Sequence, residues 1–111
     1  MPLEIAEDVN APKDGGNWIE VLGEHLHPHL AARMLQRGVT REEIERTLNQ
    51  GWEAVDAKPG TQGKVFVFPF LAEWEGQFWE EKEVTVYYKK VGDAVVLLTV
   101  KARYGKEFPR G

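Results

Sequence analysis

The stretch that decides the fold is EKEVTVYYKKVGDAVVLLTVKARY, residues 81–104, in which β-branched and aromatic residues alternate with polar ones around a Gly92-Asp93 turn. A two-residue connection would set the apolar residues of the first strand opposite a mixture of core and charge, which a half-buried strand pair does not tolerate. A three-residue connection at 92–94 gives one apolar face, on which Val84 pairs with Ala102, Val86 with Val100 and Tyr88 with Leu98. The sequence therefore predicts a β-hairpin with one core face and one polar face.

Two helices are predicted before the strands, over 28–37 and 41–50. Pro28 suits the first position of a helix, because its missing N–H would have no partner there. Thr40 begins the second helix, since it forms a capping box with Glu43 three residues on. An apolar sheet face must be covered, so the expected fold class is α+β, with an N-terminal helical hairpin packed on one face of an antiparallel sheet of about four strands.

The remaining segments complete this prediction. Two further strands are expected at Trp52–Val55 and Lys64–Phe70, where the apolar period changes from 3.6 to 2. Residues 1–24 are interpreted as a loosely ordered acidic arm with a suggested edge strand at 18–22. Residues 25–111 are then expected to form a single α+β domain.

Composition excludes several classes of chemistry. The 111 residues include neither Cys nor Ser, so no disulfide and no Ser- or Cys-centred nucleophile is available. The formal net charge is -4, yet residues 84–111 hold two acids and six bases, a local charge of +4. Neither a secretory signal nor an 18-residue apolar window is present, so a cytoplasmic protein without membrane association is expected. No cofactor is predicted.

The polar face of the predicted hairpin is the first candidate site. It combines hydroxyls, a phenol and permanent cations on a rigid platform, a set that suits a phosphodiester. RNA cleavage without a metal needs a base for the 2′-OH, an acid for the leaving oxygen and cations at the phosphate.

The expected base is Glu83 or His29, the expected acid is His29 or Tyr87, and the expected phosphate clamp is Lys101 with Arg103. Binding roles on the same face are expected for Thr85, Lys89 and Thr99. The alternative is an ordinary solvated sheet face with a Glu83–Arg103 ion pair.

All three histidines, His25, His27 and His29, lie within five residues. Alternate spacing in an extended segment would place the first two on one face, so a zinc or nickel site is conceivable, although no metal ligand is assigned. A plainer expectation for His27 is a position near the N-cap of the first helix. His29 lies one helical turn before Arg33 on the same helix face, and both are candidate catalytic residues.

An aromatic segment at 66–79 is the second candidate site. Its rings alternate with carboxylates rather than with Lys or Arg, which argues against base stacking along a phosphate backbone. Most of the rings are expected in the core, and Trp74 and Trp79 are candidate contacts of an oligomer or partner interface. A non-catalytic interaction domain, either a homodimer or a domain that binds a partner protein, is therefore the alternative to an RNA-directed function.

The run HLAARMLQRGVTREEI, residues 29–44, resembles a family of small bacterial and archaeal domains of unknown function. The shared pattern is a His, an Arg-Met four residues on, an Arg-Gly and a helix that opens at a hydroxyl residue. Late strands that end in a hydrophobic-Thr-x-hydrophobic stretch complete it, and the late strand of this sequence is Leu98-Thr99-Val100. Such domains look similar to RelE, barnase and colicin-type ribonuclease toxins. The resemblance implies a helical pair on an antiparallel sheet, RNA as substrate and a neutralising partner protein. It also implies functional positions at His29, Arg33 and Thr99.

Overall fold

The computed structural model of this chain describes residues 4–6 and 18–111. Its helices are α1 (Pro28–Arg37) and α2 (Arg41–Gln50), with a 3₁₀ turn at Gly23–His25 before them. Its strands are β1 (Glu4–Ala6), β2 (Trp52–Glu53), β3 (Gln62–Trp74), β4 (Gln77–Val91) and β5 (Ala94–Gly105). The sheet order is β1-β5-β4-β3-β2, and all neighbouring strands are antiparallel. The predicted α+β fold is confirmed, with the helical pair placed as expected and two of the five strands only two or three residues long.

Both helices begin and end where their capping residues predict. The imidazole Nδ1 of His27, the N-cap of α1, accepts a hydrogen bond from the Leu30 N–H, and Thr40 and Glu43 form the capping box of α2. Gly38 ends α1 with a φ of 71°, and a Cβ there would come within 2.6 Å of the Trp74 ring, so only glycine fits. Each helix has ten residues, and none in the described part of the chain is long and apolar enough to cross a bilayer.

One face of the sheet packs against the helices, and we call the other the open face. The core between helices and sheet is built from alternate strand residues and from the inward helix stripes. Its buried members include Leu30, Ile44 and Leu48 from the helices and Val84, Val86, Leu97 and Val100 from the sheet. Because β-strand side chains alternate, the residues between these on β4 and β5 point to the open face.

The β4–β5 hairpin has the predicted pairing over most of its length but a different turn. Val84 pairs with Ala102 and Val86 with Val100, as predicted. The connection is nevertheless the two residues between Val91 and Ala94, and the predicted pairing of Tyr88 with Leu98 is wrong, since Tyr88 pairs with Leu97. A one-residue bulge at Leu98 accommodates the shorter turn while keeping the core register.

The β3–β4 hairpin extends further than predicted. A register shift between Pro69 and Ala72 marks a bulge, so β3 continues beyond the proline instead of ending there. The turn is the pair Glu75 and Gly76, whose φ values of 52° and 81° are typical of a type I′ hairpin turn. The added length of the hairpin carries Trp74, Phe78 and Trp79, whereas Phe66 and Phe68 pack in or against the core.

The suggested edge strand at 18–22 is not formed. This segment lies along α2, where the Glu45 carboxylate accepts hydrogen bonds from the Trp18 indole and the Val21 N–H, at 2.8 Å each. Glu45 thus uses the Val21 N–H that a strand would need, and the edge of the sheet beside β5 is formed by β1. Val21 is fully buried in the core, so the packed domain begins before residue 25. Residues 1–3 and 7–17 of the expected arm lie outside the described residues.

One charged side chain, Lys82 of β4, lies on the helix-packed face with only 2% of its surface exposed. Its ammonium group donates to the Gly38 carbonyl and to the Glu43 carboxylate, the latter at 2.7 Å. It also lies 5.5 Å from the centre of the Phe70 ring and 5.6 Å from that of Tyr104. Lys82 thus ties the corner between the two helices to the sheet, since a buried ammonium needs all of its donors satisfied.

Candidate functional site

The open face brings together most of the polar residues singled out in the sequence. Three residues of β4 pair directly with three of β5: Glu83 with Arg103, Thr85 with Lys101 and Tyr87 with Thr99. These are the predicted polar pairs, and their register is confirmed. Side chains at directly opposed positions lie about 5 Å apart, so the six residues form one continuous polar surface.

A cleft of about 610 Å³ lies over this surface. Val65 and Thr85 are among the residues that line it, together with the charged residues Glu53, Asp56, Glu83, Lys101 and Arg103. Segment 52–56, from β2 into the loop that follows, lines one part of the cleft, and residues of the C-terminal segment 106–111 line another. The charged side chains of the cleft therefore come from segment 52–56, from β4 and from β5, which are far apart in sequence.

Asp56 organises one end of the cleft. Its carboxylate accepts a hydrogen bond from the Lys101 ammonium at 2.6 Å and another from the Tyr87 hydroxyl at 2.8 Å. These bonds, that from Lys101 first, lower the pKa of Asp56, and the bond to Asp56 raises the pKa of Lys101. Burial, and then Asp56, raises the pKa of the Tyr87 phenol. The phenol and the ammonium therefore both keep their protons over a wide pH range.

Gly63 allows this arrangement to form. It pairs with Tyr87 across the β3–β4 ladder, and the Tyr87 ring lies close to it. A Cβ at position 63 would come within 3.1 Å of that ring and 2.8 Å of the Ala54 side chain. The absence of a side chain lets the segment that carries Asp56 approach the open face.

The lowered pKa of Asp56 leads to a measurable prediction. Its carboxyl carbon should titrate by NMR with a midpoint below the usual 3.8. The interaction with Lys101 and Tyr87 is complete above that usual value and is lost as the pH falls through the lower folded value. In Lys101→Met the midpoint should move up toward 3.8, because the main cause of the shift is removed. Lys106→Met, at an exposed lysine that does not line the cleft, serves as the control. A wild-type midpoint at or above 3.8 would contradict the pairing.

A second ion pair, Glu83 with Arg103, lies at the other end of the cleft. The carboxylate and the guanidinium are 2.8 Å apart, and this bond raises the pKa of Arg103. The Glu83 side chain is 13% exposed and that of Arg103 is 61% exposed, so the cation is the part that solvent reaches. The guanidinium also lies 4.9 Å from the centre of the Phe108 ring, which limits its movement.

The C-terminal segment is tied to the sheet beside this pair. Glu81 accepts hydrogen bonds from the Phe108 N–H at 3.0 Å and from the Arg110 guanidinium at 2.6 Å. The bond from Phe108, followed by that from Arg110, lowers the pKa of Glu81. Arg110 also donates to the Val67 carbonyl. These contacts hold Pro109 and Gly111 against the cleft.

The candidates His29 and Arg33 do not join this site, so their expected convergence with Lys101 and Arg103 is wrong. Both lie on α1, which packs on the opposite face of the sheet from the cleft. The alternation of β5 explains the separation, since Tyr104 reaches α1 through a hydrogen bond to the Arg37 carbonyl while its neighbour Arg103 points away. Arg33 instead donates to Gln36 on its own helix.

His25 and His27 have structural hydrogen-bond partners, and the His29 ring stacks on that of His27. His25 Nδ1 accepts from the Leu22 N–H, and His27 uses Nδ1 for the Leu30 N–H and Nε2 for the Leu97 carbonyl. With Nδ1 as the acceptor, the proton of neutral His27 lies on Nε2. The expectation that His27 lies at the N-cap is confirmed. Over residues 4–6 and 18–111, no group of three or more His, Asp or Glu side chains is placed to hold a metal ion.

Trp74, Trp79 and Lys89 also lie outside the cleft. Trp74 stacks on Tyr104 with ring centres 5.2 Å apart, and the Trp79 indole donates to the Trp74 carbonyl. Both tryptophans therefore make contacts within the chain. Lys89 is exposed further along β4.

Asp56 is the important residue that the sequence analysis missed. It lies in a loop 45 residues before Lys101 and 31 before Tyr87, so no spacing in the sequence connects it to them. Only the β3–β4 and β4–β5 pairings bring the three together. Comparison with known protein families, with curated proteins and with solved structures finds no match to this chain.

Proposed function

We propose that the open face binds single-stranded RNA and cleaves it without a metal ion, with the scissile phosphate held over Thr85. The observation that carries this proposal is the pairing of three β4 residues with three β5 residues on the open face. Glu83, Thr85, Lys101 and Arg103 line the cleft, and Tyr87 and Thr99 line the cavity beside it. An acid, a base and two cations then surround one position on a rigid sheet. The resemblance to ribonuclease toxins leads to the same substrate class.

Lys101 and Arg103 form the phosphate clamp. They are two residues apart on one strand face, about 7 Å between Cα atoms, so both can reach the non-bridging oxygens of one phosphate. In the structure Lys101 forms an ion pair with Asp56, and Arg103 forms one with Glu83. A phosphate that binds the cations competes with these carboxylates and weakens both ion pairs.

Glu83 and Tyr87 are the proposed base and acid. They are four residues apart on β4, about 13 Å between Cα atoms, so their side chains reach the phosphate from opposite sides, as in-line displacement requires. Glu83 takes the proton of the 2′-OH, the 2′-oxygen bonds to phosphorus and the bond from phosphorus to the 5′-oxygen breaks. Tyr87 donates its proton to that 5′-oxygen. The products are a 2′,3′-cyclic phosphate and a 5′-OH, and the proton on Glu83 returns to Tyr87 through solvent.

Asp56 is a positioning residue in this scheme. Its two hydrogen bonds hold the Tyr87 side chain and the Lys101 ammonium at the open face before RNA binds. The Tyr87 hydroxyl then turns its one proton from Asp56 to the 5′-oxygen. The preorganised Lys101 ammonium stabilises the charge that develops on the phosphate.

The proposal is tested with a fluorescent single-stranded RNA in the presence of EDTA. We expect cleavage to 2′,3′-cyclic phosphate ends, and no cleavage of the DNA of the same sequence, which lacks the 2′-OH. Lys101→Ala should lower the single-turnover rate by about 10²-fold or more. Lys106→Ala makes the same change of charge outside the cleft and should leave the rate within twofold of wild type. Cleavage that EDTA abolishes, or equal losses in the two variants, would contradict this site.

A second candidate function, partner binding through the 66–79 segment, rests on two exposed apolar side chains near the tip of the β3–β4 hairpin. Leu71 is 66% exposed and Phe78 is 56% exposed. Exposed large apolar residues close together are typical of interfaces. An RNA that is neither bound nor cleaved in the test above would favour this candidate.

A further inference from the structure

A second cavity, of about 440 Å³, adjoins the cleft at the Tyr87 end, and Lys58, Thr61 and Leu98 of its lining have no part in the chemistry described above. Its lining residues are Asp56, Lys58, Thr61, Tyr87, Leu98 and Thr99. Asp56 lines both cavities, so the second opens directly beside the group that holds Tyr87 and Lys101. A molecule bound to the phosphate clamp can therefore extend into it.

The bulge in β5 builds this cavity. In a regular strand Leu98 and Thr99 would point to opposite faces, but the register shift after Tyr87 leaves Leu98 as an extra residue without a partner of its own. Both side chains consequently line the same cavity on the open face. Leu98 is an apolar residue that the fold leaves partly exposed beside an aromatic ring and two hydroxyls, whereas its neighbour Leu97 is fully buried in the core.

We propose that this cavity binds the nucleobase on the leaving-group side of the scissile phosphate. The inference rests on the proposed function, since Tyr87 protonates the 5′-oxygen and the nucleoside attached to that oxygen lies next to Tyr87. A nucleobase is flat, with two apolar faces and a polar edge. Leu98 and the Tyr87 ring offer surfaces for its faces, while Thr61, Thr99 and Lys58 offer hydrogen-bonding groups for its edge.

The test compares three small ligands by calorimetry: adenosine 5′-monophosphate, adenosine 3′-monophosphate and ribose 5-phosphate. The first places its base on the leaving-group side, the second places it on the other side, and the third has no base. We expect adenosine 5′-monophosphate to bind about tenfold more tightly than ribose 5-phosphate. Leu98→Ser should remove that ratio without changing the affinity for ribose 5-phosphate or for the 3′-monophosphate.

Two controls make the result specific. Leu35→Ser alters a leucine that is 84% exposed on α1, across the sheet from the cavity, and should leave the tenfold ratio intact. If Leu98→Ser does not fold, nuclear Overhauser effects in the wild type replace it, since adenine protons should contact the Leu98 methyl groups and the Tyr87 ring. Equal affinities for adenosine 5′-monophosphate and ribose 5-phosphate, or the absence of those effects, would overturn the base site.

The two proposals fail in different ways. If ribose 5-phosphate binds the wild type as tightly as the 5′-nucleotide, and Lys101→Ala weakens it, the base site is wrong and the phosphate clamp stands. If Lys101→Ala leaves the affinity for ribose 5-phosphate unchanged, the clamp is wrong and the base site, which depends on it, is overturned as well.

Discussion

Replacing Glu83 with glutamine should lower the rate of RNA cleavage by about 10² to 10⁴-fold, because the amide cannot take the proton of the 2′-OH. Glutamine keeps the size of the side chain and can still accept a hydrogen bond from Arg103, so the cleft keeps its shape. RNA affinity, measured by fluorescence anisotropy, should fall far less than the rate. This split between binding and rate separates a proton-transfer role from a merely structural one.

The matched control for this variant is Glu80→Gln, which makes the same change of charge on the same strand at an exposed residue that does not line the cleft. It should leave both the rate and the affinity near the wild-type values. Tyr87→Phe should reduce the rate about as much as Glu83→Gln, and the double variant should lose little more, since an acid and a base that act in one step are not additive. A Glu83→Gln variant that keeps more than a tenth of the wild-type rate would remove Glu83 as the base.

Replacing Lys82 with methionine should destabilise the fold by about 3–5 kcal/mol. The variant would leave the largely buried Glu43 carboxylate, 19% exposed, without its cation and the Gly38 carbonyl without its donor. It would also remove a cation that lies over both the Phe70 and the Tyr104 rings. Domains of this size have a free energy of unfolding of about 5–15 kcal/mol, so the loss should shift the midpoint of urea unfolding strongly.

Two further variants show whether the loss comes from the buried pair. Lys64→Met breaks the more exposed Lys64–Glu53 ion pair, whose atoms are 3.8 Å apart, and should cost about 1 kcal/mol or less. Adding Glu43→Gln to Lys82→Met should recover part of the loss, because glutamine carries no unpaired charge and can still complete the capping box. A cost for Lys82→Met as small as that for Lys64→Met would mean that the buried pair does not hold the helical corner to the sheet.

The hairpin of residues 81–104 shows what local pattern can and cannot predict. Requiring apolar residues to face each other leads to the correct pairs from Glu83 to Tyr87 on β4, including the three polar pairs of the open face. The same reasoning predicts that the one extra residue of the hairpin lies in a three-residue turn, whereas the structure has a two-residue turn and places the extra residue in a bulge at Leu98. The two solutions give the same core register, so the apolar pattern of the sequence does not distinguish them.

The candidate site shows the same division. Thr85, Tyr87, Thr99, Lys101 and Arg103 were assigned to one face from strand alternation, and that assignment is confirmed. The resemblance and the helix stripe favour His29 and Arg33 as further members of this site. A sheet has two faces, however, and α1 covers the face opposite the cleft. Asp56 was missed because a loop carboxylate has no periodic pattern from which its position can be predicted.

By itself, the sequence determined the fold class, the two helices with their caps and the composition of the open face. These depend on periodicity and on contacts between residues near one another in the chain, which local physics specifies. Tertiary structure alone decided which charges meet: Asp56 with Lys101 and Tyr87, Lys82 with Glu43, and the C-terminal segment with Glu81. Such pairs form between elements whose relative placement follows from burying the whole core, so no short stretch of sequence contains the information for them.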